Sequence, residues 1–106
     1  MLKTALIFAV TVAAATPAFA AVDRATAITT LAGLYNSADV CNLSISKAKV
    51  DAYRAANAPA GDAMFNVDVF RATDALYTQQ KSWTKDQTAD YCRKAAANVA
   101  TLDMGL

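Results

Sequence analysis

Apolar positions recur along this chain with a helical period, and the polar residues between them mark where each helix starts and stops. Asp23 can cap a first helix over about 23–36, in which Ile28, Leu31 and Tyr35 share a face and Ala32 and Leu34 flank it. Gly33 weakens that helix by about 1 kcal/mol relative to Ala. Asn36-Ser37-Ala38-Asp39 reads as its stop, because these short polar side chains compete for backbone hydrogen bonds. Val40-Cys41-Asn42 then follows as a connector. A second helix is expected over 45–57, capped by Ser44, with Leu43 placed to staple against Ala48. Its stripe is Ile45, Ala48, Ala52, Ala55 and Ala56, with Val50 and Tyr53 at the edges. Lys47, Lys49, Asp51 and Arg54 are expected to face solvent. Pro59 disfavours helix at Ala58 and ends it.

Asp62 is a suitable cap for a third and most apolar helix over 63–80, centred on Phe65, Val69, Ala72 and Leu76. Met64, Phe70 and Tyr77 widen that stripe and Val67 sits further round, a breadth that suits contact with more than one neighbour. Asp68 and Arg71 form a surface pair at i, i+3. Thr84-Lys85-Asp86-Gln87 has the form of a capping box, and Asp86 in the first turn complements the helix dipole. The helix it opens is expected over 85–102, with Cys92, Ala95, Ala96, Val99 and Leu102 on one face, Tyr91 beside it, and Gly105 marking the end. Four helices joined by short loops imply a small all-α, four-helix bundle formed by residues 21–106 as one domain.

The first twenty residues follow a different pattern. Met1-Leu2-Lys3-Thr4 is a short basic start, Ala5 to Ala15 carries no charge, and Thr16-Pro17-Ala18-Phe19-Ala20 ends in a small-x-small triplet. That order is the signature of a signal peptide cleaved after Ala20. The apolar run falls short of the roughly 20 residues that span a bilayer. The expected location is therefore the periplasm or the exterior, with no stable membrane insertion after cleavage. Loss of Lys3 reduces the ten basic residues to nine, against nine acidic ones. The cations are scattered singly, which provides no footprint for nucleic acid or for an anionic membrane.

Export changes the meaning of the two cysteines, Cys41 and Cys92. In an oxidising compartment they are most simply one intramolecular disulfide. Closing so long a loop contributes on the order of 4 kcal/mol in the chain-entropy model. A domain this small is otherwise marginal.

Candidate chemistry is sparse. The chain has no histidine, all nine acidic residues are aspartate, no Cys-x-x-Cys pair occurs and the three glycines stand apart. No metal site, cofactor or catalytic residue is expected, since structural zinc normally takes four ligands and phosphate loops need clustered glycine. The closest carboxylate sets are Asp62, Asp68 and Asp74, and Asp86 with Asp90 at i, i+4. The second set has structural duties: Asp86 serves the helix N-terminus and Asp90 can pair with Arg93 or Lys94. Trp83, the one tryptophan, either closes an end of the core or serves as a partner contact, since Trp is enriched at interface hot spots. Tyr35, Tyr53, Tyr77 and Tyr91 are expected at the core edge with their hydroxyls in water.

In plan, a small exported helical chain with two widely separated cysteines is similar to the periplasmic acid-stress chaperones of enteric bacteria. The resemblance covers architecture alone, and no motif maps residue by residue. It implies a response to acid in which the aspartates, with reference pKa near 3.9, protonate and leave a strongly positive chain. The expected function is that of a non-enzymatic protein of the bacterial envelope that binds another protein, in a stress or chaperone-like role. The alternatives are an inhibitor or immunity-type protein against one secreted enzyme, anchored at Trp83 or near Cys41, and a small-molecule binder.

Overall fold

A computed structural model describes residues 21–106, so the leader expected at 1–20 lies outside the described residues. Four helices are present there: α1 (Arg24–Val40), α2 (Lys47–Asn57), α3 (Phe65–Gln80) and α4 (Lys85–Thr101). The described residues contain no strand, only an isolated antiparallel bridge between Ile45 and Gly105. The helical bundle and the Cys41–Cys92 disulfide are as expected.

α1 is the hub, because it packs against each of the other three helices, most extensively against α3. Its buried residues, Ala27, Leu31, Ala32, Leu34, Asn36 and Ser37, spread around more than half of its circumference. Asp23 caps it as expected, its side chain accepting from the Thr26 N–H at 2.7 Å. The expected stop at Asn36–Asp39 is wrong: the helix continues through it to Val40. Ser37 alone bonds the local backbone, its hydroxyl donating to the Leu34 carbonyl at 3.3 Å, and the other two polar side chains are engaged elsewhere. Asn36 bonds to Gln80 and Tyr91, and Asp39 accepts from Tyr77. The stop falls instead at Asn42, whose φ of +54° places it in the left-handed region that Asn tolerates after a helix.

α2 begins two residues later than expected. Ser46, not Ser44, is the cap, accepting from the Lys49 N–H at 3.2 Å. The segment before it is held extended, since the Ser46 N–H donates to the Met104 carbonyl at 2.7 Å and Ile45 bridges Gly105. The buried face is also not the alanine stripe. Val50, Tyr53 and Asn57 are buried, whereas Ala48, Ala52, Ala55 and Ala56 are exposed. Burial favours the side chains with most apolar area to remove from water, and a methyl has little.

α3 starts at Phe65, because Asp62 closes a turn first: its carboxylate accepts from the Met64 N–H at 3.1 Å and its carbonyl from the Phe65 N–H at 3.2 Å. Phe65 and Val69 enter the core and Ala72 and Leu76 are half-buried, as expected. Of the wider face Tyr77 is half-buried, but the rest is wrong, because Phe70 is 72% exposed, Met64 46% and Val67 39%.

The Thr84–Gln87 capping box forms in full, with Gln87 N–H on the Thr84 hydroxyl at 3.1 Å and Thr84 N–H on the Gln87 amide oxygen at 2.8 Å. At the other end Asp103, not Gly105, makes the turn, at φ +55°. The Asp103 N–H reaches the Ala100 carbonyl at 3.1 Å and the Met104 N–H reaches Val99 at 2.9 Å, a Schellman arrangement. It folds Met104 back into the centre, where it is fully buried with Leu31, Leu34, Val50, Phe65 and Val99. Among the described residues, no helix is long and apolar enough to cross a membrane.

Candidate functional site

Three clusters of side chains converge on α1. The first surrounds Asn36, which is fully buried. Its amide donates to Gln80 Oε1 at 3.2 Å and its oxygen accepts from Gln80 Nε2 at 2.5 Å and from the Tyr91 hydroxyl at 2.7 Å. One residue of α1 thereby secures the end of α3 and the second turn of α4. Trp83 lies on the outer side of this cluster, its ring 5.1 Å from that of Tyr91 and tilted by 59°. It is half-buried, held by the turn that links α3 to α4 and by the Thr84 cap that follows. Cys41 and Cys92 close the same end, with Cα atoms 5.4 Å apart. The Cys41–Cys92 bond, the Asn36 amides and the Trp83–Tyr91 pair thus form one structural unit.

The expectation that tyrosine hydroxyls face water is corrected here. Tyr91 donates to Asn36, Tyr77 donates to Asp39 Oδ2 at 2.6 Å, and Tyr35 accepts from Arg54 Nη2. Burial pushes the Tyr91 hydroxyl up from its ordinary pKa, and the Asp39 carboxylate does the same to Tyr77.

The second cluster is ionic. Arg24 donates from Nε to Asp62 at 2.6 Å and from Nη2 to Asp68 at 2.6 Å. The Arg24 guanidinium holds the Asp62 carboxyl below the usual carboxylate range. Asp62 and Asp68 are therefore brought together, but as partners of one cation, while Asp74 is exposed apart from them. Asp86 is exposed in the first turn of α4, and Asp90 pairs with Arg93 and with Lys94 as expected, the latter at 3.0 Å. Among the described residues no group of three or more His, Cys or Asp side chains is placed to hold a metal ion.

The third cluster was not legible in the sequence. An open groove of about 460 Å³ runs over α1 between α2 and α3, lined by Tyr35, Arg54, Asn66, Val69, Phe70 and Thr73. Arg54 was expected in solvent, yet it folds back with its guanidinium 5.4 Å from the centre of the Tyr35 ring. Its Nε is buried with no hydrogen-bond partner among the described residues. The spacing of Tyr35 and Arg54, on different helices and 19 residues apart, gave no local signal of this pairing.

No protein-family model matches the chain, and no curated protein or solved structure is significantly similar to it. The groove, the Asn36–Trp83 end and the Arg24 cluster are therefore read on their own chemistry.

Proposed function

We propose that this is a non-enzymatic protein of the bacterial envelope that acts by binding another protein. The observation that supports this reading most is the outer face of α3, where Val67 and Phe70 stand exposed, Phe70 by 72%, with Met64 exposed at the cap before them. A phenylalanine this exposed beside an apolar-lined groove forgoes the stabilisation of burial, as an apolar side chain at an interaction surface does. The leader pattern at 1–20, the disulfide and the lack of a membrane-crossing helix among the described residues are compatible with export. The absence of histidine from the chain, together with carboxylates engaged by Arg24, Arg93 and Lys94, favours binding over catalysis. Trp83, with part of its ring in solvent, is a second candidate contact.

Cross-linking of the oxidised protein in envelope extract, followed by the same experiment with Phe70→Ser, tests the proposal. The expected result is a partner held by the wild type and released by the variant; equal recovery with both overturns the role of α3. One stoichiometric partner indicates an inhibitor or immunity-type role. Many clients held only near pH 2–3, with apolar-dye binding, indicate a chaperone role.

A further inference from the structure

Resting on the protein-binding reading, we infer that the α2–α3 groove receives a partner segment that carries a carboxylate next to an apolar side chain. Two features of the groove point to that chemistry. The first is charge. Of the six lining residues only Arg54 is charged, and its one carboxylate neighbour, Asp51, is shared: Asp51 accepts from Lys47 at 2.7 Å and from Arg54 at 3.4 Å. Arg54 thus shares its carboxylate with Lys47, and no acidic lining residue opposes an incoming carboxylate.

The second is an unmet donor. A guanidinium offers five N–H groups in a fixed fork. Arg54 uses Nη1 on Asp51 and Nη2 on the Tyr35 hydroxyl, while Nε is buried without a partner. A buried unsatisfied donor is unfavourable in the free protein. A carboxylate that draws the Arg54 side chain outward and takes its Nε–Nη2 edge as a bidentate partner gives Nε the acceptor it lacks, in exchange for the Nη2 bond to Tyr35.

The rest of the groove is suited to an apolar neighbour of that carboxylate. Phe70 forms an exposed wall and Val69 and the Tyr35 ring line the space beside it. The Thr73 hydroxyl is already spent on the Val69 carbonyl at 2.8 Å, so that residue leaves its methyl group as its uncommitted surface. The groove is open rather than enclosed, whereas ligand pockets bury most of their occupant. A side chain presented by a helix or loop of another protein does not need full enclosure.

The test uses two capped dipeptides, N-acetyl-Leu-Glu-amide and N-acetyl-Leu-Gln-amide, titrated into the oxidised protein while NMR follows the Arg54 Nε–H and the Val69 methyl groups. Saturable shifts at both positions are expected with the glutamate probe, with affinity about tenfold weaker for the glutamine probe. Equal affinities, or shifts that avoid the groove, overturn the inference. A second arm repeats the envelope cross-linking with Arg54→Lys, which keeps the charge and removes the Nε donor. Loss of the partner with Arg54→Lys, in a variant whose helical content is unchanged, supports the inference. A partner kept by Arg54→Lys but lost by Phe70→Ser leaves protein binding standing and removes the carboxylate. No partner with the wild type defeats the protein-binding reading, while the dipeptide titration still decides the groove.

Discussion

At its first residue α1 grips the chain with ions, Arg24 holding Asp62 and Asp68, whereas at its far end it does so with the Cys41–Cys92 bond and the uncharged amides around Asn36. The two ends have similar tasks, since each fastens a distant loop or helix to the hub. They differ in what can undo them. The ionic end is half-exposed, so salt screens it and acid discharges it. The other end is covalent or uncharged, and only reduction or strong base undoes it. The hub is thus fastened permanently on one side and conditionally on the other.

The largest predicted effect tests the permanent side. Cys41→Ser with Cys92→Ser removes about 4 kcal/mol of loop-closure stabilisation, most of what a domain of this size possesses. Urea titration of the oxidised protein and the variant should show the midpoint collapse; a variant of unchanged midpoint would remove the disulfide from the comparison. Next, Asn36→Ala leaves Gln80 and Tyr91 without their shared partner and should cost about 2 kcal/mol. A loss no greater than that of an exposed alanine substitution would show the amides to be incidental.

The pH dependence separates the ends further, because they fail in opposite directions. The folded pKa of Asp62 is depressed by Arg24, so its contribution is present above the ordinary carboxylate value near 3.9 and disappears as pH falls through the folded value. Tyr91 and Tyr77 are raised, so their contribution is present below about pH 10 and disappears as pH rises through their folded values. Hydrogen exchange across a pH series should show the α2–α3 turn released first in acid and the Gln80–Tyr91 region first in base. Release of both together at either extreme would merge the two ends into one cooperative unit. The smallest effect is expected for Arg24→Gln at neutral pH, a shift of a few degrees in Tm that shrinks further at high salt. Retention of the wild-type acid midpoint by that variant would show that other aspartates set it.

What was legible in the sequence follows the same division between local and distant causes. The Thr84–Gln87 box and the Asp23 cap depend on residues three apart, and both were read correctly. The Phe65–Val69–Ala72–Leu76 stripe depends on one helix and also holds. Asn36–Asp39 does not stop the helix because Asn36 and Asp39 find partners 44 and 38 residues away, which no local pattern announces. Ser44 lost to Ser46 because the tail around Met104 reaches back to hold the intervening residues extended. The alanine stripe of α2 failed for a different reason: period alone does not rank faces, and Val50 with Tyr53 had more area to bury. Of the candidate site, the cysteine pairing was legible from their number and the expected compartment. The Arg54 groove was not, since it exists only where three helices meet.

Met104 also imposes an order in time. A chain that emerges N-terminus first, from a ribosome or through a membrane channel, presents α1, α2 and α3 well before residue 104 is free. Until then the central slot among the core residues has no occupant, and the extended segment before α2 lacks the carbonyl that receives Ser46. The core among α1, α2 and α3 is therefore complete only once the C-terminal turn has folded back onto it.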